Sequence, residues 1–182
     1  MDKVEMLNHY IYKHKNDPKF SSGTSILKHI PYLTRVIKEH RVKSILDYGC
    51  GKGIWWDSFF SRPVMEAHGV TVQRYDPAIE KFQDLPDSRY DLVICSDVLE
   101  HLHPEDTEEV VKKLVYYTRR HLFCGISLVP AKKRFKDGTN LHTNLHTKEW
   151  WEELFLKTVH AYEKETNSYI SYKLSFNDEV YF

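Results

Sequence analysis

Apolar residues recur at helical spacing through the first forty residues of the chain. Residues 4–14 carry them on one face, and Asn16-Asp17-Pro18 then predicts a break. A second helix is predicted over residues 25–40, in which Pro31 marks either a kink or the true first turn. The two helices form a predicted N-terminal segment, residues 1–40, that precedes the first strand.

The pattern changes to that of strands after residue 43. Strands are predicted over residues 44–48, 70–75, 90–95, 121–129, 158–165 and 169–176, and helices over residues 107–119 and 147–156. Residues 90–95 are apolar almost throughout, as expected when both faces of a strand are covered. The alternation predicts an α/β fold with a mostly parallel sheet and helices on both faces. Two consecutive strands at the end predict an antiparallel hairpin at one edge.

The bulk composition limits the classes of protein to consider. A chain of 182 residues fits one compact domain, and its 26 basic residues balance 26 acidic ones. A neutral chain does not suit a protein that coats duplex nucleic acid, because neutralising phosphates needs a basic surface. No apolar run reaches about 18 residues, so neither a transmembrane helix nor a membrane partner is predicted.

Three separated cysteines and a polar N-terminus indicate a reducing compartment. Cys50, Cys95 and Cys124 form no C-x-x-C pair, and the last two lie beside apolar residues, as buried thiols do. Residues 1–15 are polar and charged, without the pattern of a signal peptide. We therefore expect a cytoplasmic protein.

A glycine-rich loop follows the first predicted strand. The sequence Asp47-Tyr48-Gly49-Cys50-Gly51-Lys52-Gly53 lets the backbone turn tightly and approach a ligand, and it is predicted to open a helix. Asp76 ends the second strand about 20 residues after the glycine loop. This is about the spacing at which an acidic residue binds a ribose diol in dinucleotide-binding folds. The spacing of the glycines differs from the dinucleotide-binding pattern G-x-G-x-x-G.

The pattern D-x-G-C-G-x-G resembles motif I of the class I S-adenosylmethionine-dependent methyltransferases, whose fold is Rossmann-like. The likeness covers about residues 44–129. It implies that the glycine loop passes under the methionine part of S-adenosylmethionine and that Asp76 binds the ribose hydroxyls. The predicted cofactor-binding residues are Asp47, Gly49, Cys50, Gly51, Gly53, Asp76, Pro77, Gln83, Ser96, Asp97 and Val98. A nucleotide-binding Rossmann protein and an inactive relative are the alternatives.

The link between Asp76 and Tyr90 is shorter than in many members of that family. Gln83 or Asp84 is predicted to hydrogen-bond the adenine, with Phe82 packing on it. A solvated linker without contact to the cofactor is the alternative reading of this segment.

Histidines near the predicted carboxyl ends of the strands are candidate catalytic residues. Ligands of open α/β sheets bind at that edge, and a neutral imidazole suits a general base. His101 follows the strand of residues 90–95. His142, with Asn140, resembles a glycine-x-asparagine-x-histidine element of small bacterial and phage methyltransferases. We predict His142 and His101 as catalytic, while the alternative is that these residues only hold loops.

A divalent metal ion is a second use for the same residues. Glu100, His101 and either His142 or His146 resemble the ligands of small-RNA 3′-end 2′-O-methyltransferases, with Asp97 in place of a first glutamate. Mixed oxygen and imidazole ligands suit Mg²⁺, Mn²⁺ or another first-row ion. The sequence leaves metal binding open.

The resemblance implies methyl transfer to an oxygen or nitrogen of an acceptor. A small molecule or a sugar-like glycan suits a compact neutral domain, whereas a nucleic-acid 2′-O-methyltransferase would use the basic residues Lys132, Lys133, Arg134 and Lys136. A non-catalytic module that binds S-adenosylmethionine is the third alternative. The sequence does not define the oligomeric state.

Class I methyltransferases often carry N-terminal additions that cover the cofactor. Residues 1–40 are therefore predicted to form a helical lid over a methyltransferase domain of residues 41–182. Four of its side chains are expected to close over the site and exclude water: Tyr10, Tyr12, Phe20 and Ser21.

Overall fold

A five-stranded parallel sheet forms the centre of the molecule in a computed structural model, which describes residues 2–23, 25–58 and 62–177. The strands are β1 (Ser44–Tyr48), β2 (Thr71–Tyr75), β3 (Tyr90–Ser96), β4 (Thr118–Ser127) and β5 (Ser171–Asn177). Their order is β2-β1-β3-β4-β5, and each neighbouring pair runs parallel. The α-helices of the described part are α1 (Lys3–Asn16), α2 (Ile30–Glu39), α3 (Arg62–His68), α4 (Thr107–Tyr117) and α5 (Lys148–Thr166).

Both faces of the sheet are covered by helices, which confirms the predicted α/β architecture. On one face, α4 and α5 contribute Leu114, Trp151 and Phe155 to a core with the strands. On the other face, α2 contributes Leu33 and Ile37. All seven residues of β3 are buried between these layers, which explains why its sequence is apolar almost throughout.

The predicted antiparallel hairpin at the sheet edge is wrong. Residues 158–165 belong to α5, and β5 runs parallel to β4 instead of pairing with a preceding strand. Phe155, Val159 and Tyr162 lie at intervals of four and three residues and pack on one core, so the helical period continues through this segment. Asn167, in the left-handed conformation at φ 53°, ends the helix.

Two other predicted helix starts differ from the structure. Ser25–His29 is a 3₁₀ helix and α2 begins at Ile30, so Pro31 occupies the first turn, where its missing N–H costs nothing. Residues 54–58, directly after the glycine loop, form successive turns and not the first turn of a helix. Within the described residues, none of the helices combines the length and the apolar composition needed to cross a bilayer.

Candidate active site

A cavity of about 870 Å³ lies at the carboxyl edge of the sheet. The segments that follow four strands line it, through Gly49, Asp76, Val98 and Val129. Helix α1 lies along the other side, and its Tyr10 also lines the cavity. Because the carboxyl ends of parallel strands meet at one edge, the fold brings together side chains that are distant in sequence.

The glycine loop folds back over the ends of β1 and β2. Gly49 and Cys50 donate their backbone N–H groups to the carbonyl of Tyr75, at 2.7 and 3.1 Å. Gly49 adopts φ 79°, and a Cβ atom there would lie 2.3 Å from a methyl group of Val98. Glycine is therefore required at this position, both by the backbone conformation and by the close approach.

Main-chain hydrogen bonds fix the Asp76 carboxylate at the wall of the cavity. One oxygen accepts from the N–H of Gly51 at 2.8 Å and the other from the N–H of Ala78 at 2.9 Å. The side chain is buried and lines the cavity. A carboxylate held in one orientation by the backbone can still accept hydrogen bonds from a ligand, since each oxygen has a second lone pair.

The predicted cofactor-binding residues divide into two groups. Six of them line the cavity: Gly49, Asp76, Pro77, Ser96, Asp97 and Val98. Gly51 and Gly53 lie outside the lining, and Lys52 N–H donates to the carbonyl of Ser21 at 3.0 Å. A Cβ atom on Gly51 would lie 2.5 Å from the same carbonyl. This part of the glycine loop therefore packs against the chain segment that follows α1.

The remaining predicted cofactor residues are also outside the cavity lining. Asp47 accepts a hydrogen bond from the indole N–H of Trp56 at 2.6 Å, and burial raises the pKa of its carboxyl to about 6. Cys50 is a buried free thiol. Gln83 has an exposed side chain, and the structure does not bring it to the cavity.

Glu100, His101 and His142 form a compact cluster beside the cavity. One ligand atom from each lies within 4.8 Å of the others. Glu100 is fully buried; one oxygen accepts from the N–H of Ser127 at 3.0 Å, and the other has no hydrogen-bond partner. Burial, and to a lesser extent the charge of Asp97, raise the pKa of Glu100 to about 8.

Both histidines of the cluster direct Nδ1 at a backbone carbonyl. His101 Nδ1 lies 3.0 Å from the carbonyl of Leu141 and 3.0 Å from the Tyr10 hydroxyl, and His142 Nδ1 lies 2.5 Å from the carbonyl of Val129. Because a carbonyl only accepts, this network assigns the proton to Nδ1 and leaves the lone pair on Nε2.

Both rings are neutral near pH 7. Burial, with a contribution from the neighbouring His142, lowers the pKa of His101 to about 3, and burial also lowers the pKa of His142. The two rings pack edge to face with centroids 4.6 Å apart, and both line the cavity. Neutral imidazoles at a cavity wall can act as bases or as metal ligands.

His146 and Asp97 take other positions. His146 stacks on Trp150 with ring centroids 3.6 Å apart, and its Nε2 contacts the Asn144 side-chain oxygen at 3.0 Å. Asp97 lines the cavity and pairs with Lys28 at 3.4 Å. Among the described residues, neither belongs to the cluster that can hold a metal ion.

Two asparagines hold the loop that carries His142: Asn140, which the sequence motif included, and Asn144, which it did not. The Asn140 oxygen accepts from the N–H groups of Ala131 and His142, at 2.9 and 2.8 Å. Asn144 is buried, and its amide donates to the Leu99 carbonyl at 2.8 Å. These bonds fix the loop against the turn that carries His101.

The N-terminal segment contributes to two different parts of the structure. Tyr10, Phe20 and Ser21 line the cavity, whereas Tyr12 is exposed and does not. Ile26 of the 3₁₀ helix Ser25–His29 and the apolar face of α2 instead pack in the core on one face of the sheet. The lid function stays a prediction.

Basic side chains occur at the rim of the cavity. Lys19, Lys132 and Lys133 belong to its lining, and the Lys133 ammonium lies 5.3 Å from the centre of the Phe20 ring. Arg134 donates to the carbonyl of Gly138 at 3.0 Å, and Lys136 lies over Tyr12. Their role in binding a nucleic acid stays a prediction.

Residues 25–153 match the model of a protein family described as a methyltransferase domain. The chain belongs to this methyltransferase family. The match spans most of the chain and confirms the membership that the glycine loop predicted. No curated protein sequence matches the methyltransferase.

Similar solved structures include two proteins from Burkholderia thailandensis. The 1,6-didemethyltoxoflavin-N1-methyltransferase of Burkholderia thailandensis, with 1,6-didemethyltoxoflavin and S-adenosylhomocysteine bound, superposes with a TM-score of 0.59 at 12% identity. The match covers 87% of this methyltransferase and 80% of that chain, which confirms the class I fold. An O-methyltransferase family protein from Burkholderia thailandensis gives a TM-score of 0.46 at 13% identity, covering 80% of this chain and 56% of its own.

Proposed function

We propose that this methyltransferase binds S-adenosylmethionine in the cavity and transfers its methyl group to an oxygen or nitrogen of a small-molecule acceptor. The observation that carries the proposal is the position of Asp76, buried beneath the glycine loop and facing the same cavity as His101 and His142. The volume of about 870 Å³ lies within the range of ligand pockets in enzymes.

The proposed binding mode assigns the ribose to Asp76. Its carboxylate is already oriented by the N–H groups of Gly51 and Ala78, so binding requires little rearrangement. Gly49 leaves the cavity wall without a side chain at the point where the nucleoside would pass. The acceptor then occupies the part of the cavity near His101 and His142.

Methyl transfer from a sulfonium is an in-line displacement, so alignment contributes much of the rate. The acceptor lone pair forms the new bond to the methyl carbon, the carbon–sulfur bond breaks, and sulfur retains its electron pair as a neutral thioether. A hydroxyl acceptor also loses a proton. The neutral rings of His101 and His142 suit two roles here. Nε2 of either ring can bind a cation that holds the acceptor oxygen, whereas the low pKa of His101 makes His142 the better acceptor for that proton.

The small-molecule class of acceptor is supported by the helix that covers one side of the cavity. Helix α1 lies over the sheet edge, and its Met6, Leu7 and Tyr10 line the cavity. The similar 1,6-didemethyltoxoflavin-N1-methyltransferase is bound to 1,6-didemethyltoxoflavin together with S-adenosylhomocysteine. A glycan or a nucleic acid would have to enter past α1.

Two measurements test the proposed function. Calorimetry with S-adenosylhomocysteine is expected to show one site per chain, and absence of binding would refute the cofactor assignment. Transfer of labelled methyl groups to fractionated cell extracts is then expected to label the small-molecule fraction. Label confined to nucleic acid or glycan would overturn the acceptor class, and binding without any transfer would favour a regulatory module.

We also propose that residues 3–23 form the lid. Ser21 and Ser22 accept from the N–H groups of Lys52 and Ile54 at 3.0 and 3.2 Å, so this segment is hydrogen-bonded to the glycine loop. A ligand against that loop should stabilise the segment.

We expect S-adenosylhomocysteine to slow amide hydrogen exchange in residues 17–23 by about tenfold or more, because a bound ligand suppresses local opening. Hydrogen exchange followed by mass spectrometry checks this, with α4 as an internal region where little change is expected. Equal protection with and without ligand would show that the segment is not a lid.

A further inference from the structure

Glu100 combines complete burial with an unsatisfied oxygen, and nothing in the methyl-transfer chemistry uses it. One oxygen is satisfied by the Ser127 N–H at 3.0 Å, while the other has no hydrogen-bond partner. A buried carboxylate with a free oxygen is costly unless a donor or a cation compensates it. One ring nitrogen of His101 and one of His142 lie within 4.8 Å of a Glu100 oxygen and of each other.

Neither ring has a free N–H group to donate to an ionised Glu100. Their Nδ1–H groups are used by the carbonyls of Leu141 and Val129, so the remaining nitrogen of each ring carries a lone pair. One carboxyl oxygen and one nitrogen from each ring therefore lie within 4.8 Å of one another, and the raised pKa of Glu100 means that its carboxyl holds a proton at neutral pH when no ion is bound. That proton can be shared with only one ring nitrogen at a time, whereas a positive ion can be bound by all three atoms at once.

We propose that Glu100, His101 and His142 bind one divalent first-row transition-metal ion, such as Mn²⁺ or Zn²⁺. Two imidazoles and one carboxylate are a ligand set that such ions favour over Mg²⁺, which prefers oxygen alone. Metal-binding histidines characteristically donate their other N–H to a carbonyl or carboxylate, as both rings do here.

Two of the three proposed ligands face the cavity. Two atoms bound to one ion at about 2.1 Å lie at most about 4.2 Å apart, so the three atoms, which are within 4.8 Å of one another, would have to move closer to bind it. His101 and His142 line the cavity, whereas Glu100 lies behind them. Three protein ligands with a free position are typical of catalytic and not of structural metal sites.

The open position gives the ion a role that rests on the proposed function. An acceptor hydroxyl bound there would have a lowered pKa and would release its proton to water. Its oxygen would then form the bond to the methyl carbon while the carbon–sulfur bond breaks. In this arrangement the two imidazoles position the acceptor through the ion and do not take its proton.

Titration of the chelator-treated full chain with MnCl₂ and with ZnCl₂, followed by calorimetry, tests the site. We expect one ion per chain. Glu100→Gln, which keeps the oxygen that faces Ser127, should weaken binding by more than about 100-fold, since residues that only support a metal ligand already contribute 10–100-fold. His146→Gln is the matched control and should bind like the wild type, because His146 stacks on Trp150 outside the cluster.

Two results would overturn the metal site. One is absence of Mn²⁺ and Zn²⁺ binding by the wild type, and the other is equal affinity in Glu100→Gln and wild type, which would place the ion elsewhere. Pulsed electron paramagnetic resonance of Mn²⁺ on the wild type needs no variant and should show coupling to imidazole nitrogen; absence of that coupling also refutes the site. S-adenosylhomocysteine binding, measured on the same samples, reports separately on the proposed function.

Discussion

Asp76→Ala is expected to weaken the binding of S-adenosylhomocysteine by about 30- to 140-fold, which corresponds to about 2–3 kcal/mol for hydrogen bonds to a charged group. The variant removes the acceptor proposed for the ribose hydroxyls. It also removes the acceptor for the N–H groups of Gly51 and Ala78, which lie 2.8 and 2.9 Å from the carboxylate. Calorimetry with the purified variant checks the prediction.

Asp76 could contact the ribose or could only support the glycine loop. The two roles predict different affinities for a ligand that lacks a ribose hydroxyl. If Asp76 binds the ribose, the wild type should prefer S-adenosylhomocysteine over its 2′-deoxy analogue, and Asp76→Ala should lose most of that preference. If Asp76 only supports the loop, both ligands should weaken equally. Asp87→Ala, which removes an exposed carboxylate from the same link, is the control and should bind both ligands like the wild type.

The sequence predicted the fold correctly where the pattern of a segment is compatible with only one structure. The buried run of β3 and the glycine loop after β1 each correspond to one arrangement, because an apolar strand needs two covered faces and Gly49 has no room for a side chain. The strand predicted for residues 158–165 is wrong, because a short apolar and aromatic segment fits both the strand period and the helix period. Only continuity with Phe155, four residues before Val159, distinguishes the helix.

The residue types of the candidate site were predictable, but for the metal ligands the sequence left His142 and His146 as alternatives. The tripeptide Asn-Leu-His occurs twice in succession, as Asn140-Leu141-His142 and Asn144-Leu145-His146. Identical local sequence cannot show which histidine reaches the cavity. The choice is made by tertiary contacts, since Trp150 stacks on His146 while the Val129 carbonyl binds His142.

The sequence also could not predict that one oxygen of Glu100 has no hydrogen-bond partner. Glu100 and His101 are adjacent in the chain, and adjacency alone does not show that one carboxylate oxygen is committed to the N–H of Ser127 while the other has no partner. That division depends on the end of β4, which lies 27 residues further along the chain. Burial and partner count arise only when the strand ends meet.

His142→Ala is expected to reduce methyl transfer by about 100- to 10,000-fold, the range for loss of a general base. A His142 that instead binds the acceptor through the proposed ion also predicts a large loss, because the variant removes a ligand of that ion. The loss is expected in kcat, while the affinity for S-adenosylhomocysteine stays close to that of the wild type. The physical reason is position: the His142 ring lies beside His101 on the cavity wall, whereas the proposed ribose contact is Asp76. The measurement is transfer of labelled methyl to the acceptor fraction, with calorimetry on the same preparation.

The variant loses the ring contact with the Val129 carbonyl, but the bond from the backbone N–H of residue 142 to Asn140 at 2.8 Å remains and should hold the loop. A lost activity would therefore report on the imidazole itself. His160→Ala, on the exposed side of α5, is the matched substitution and should retain wild-type turnover. Full activity of His142→Ala would remove His142 from the reaction, whereas loss of cofactor binding together with turnover would show that the ring supports the cavity as a whole.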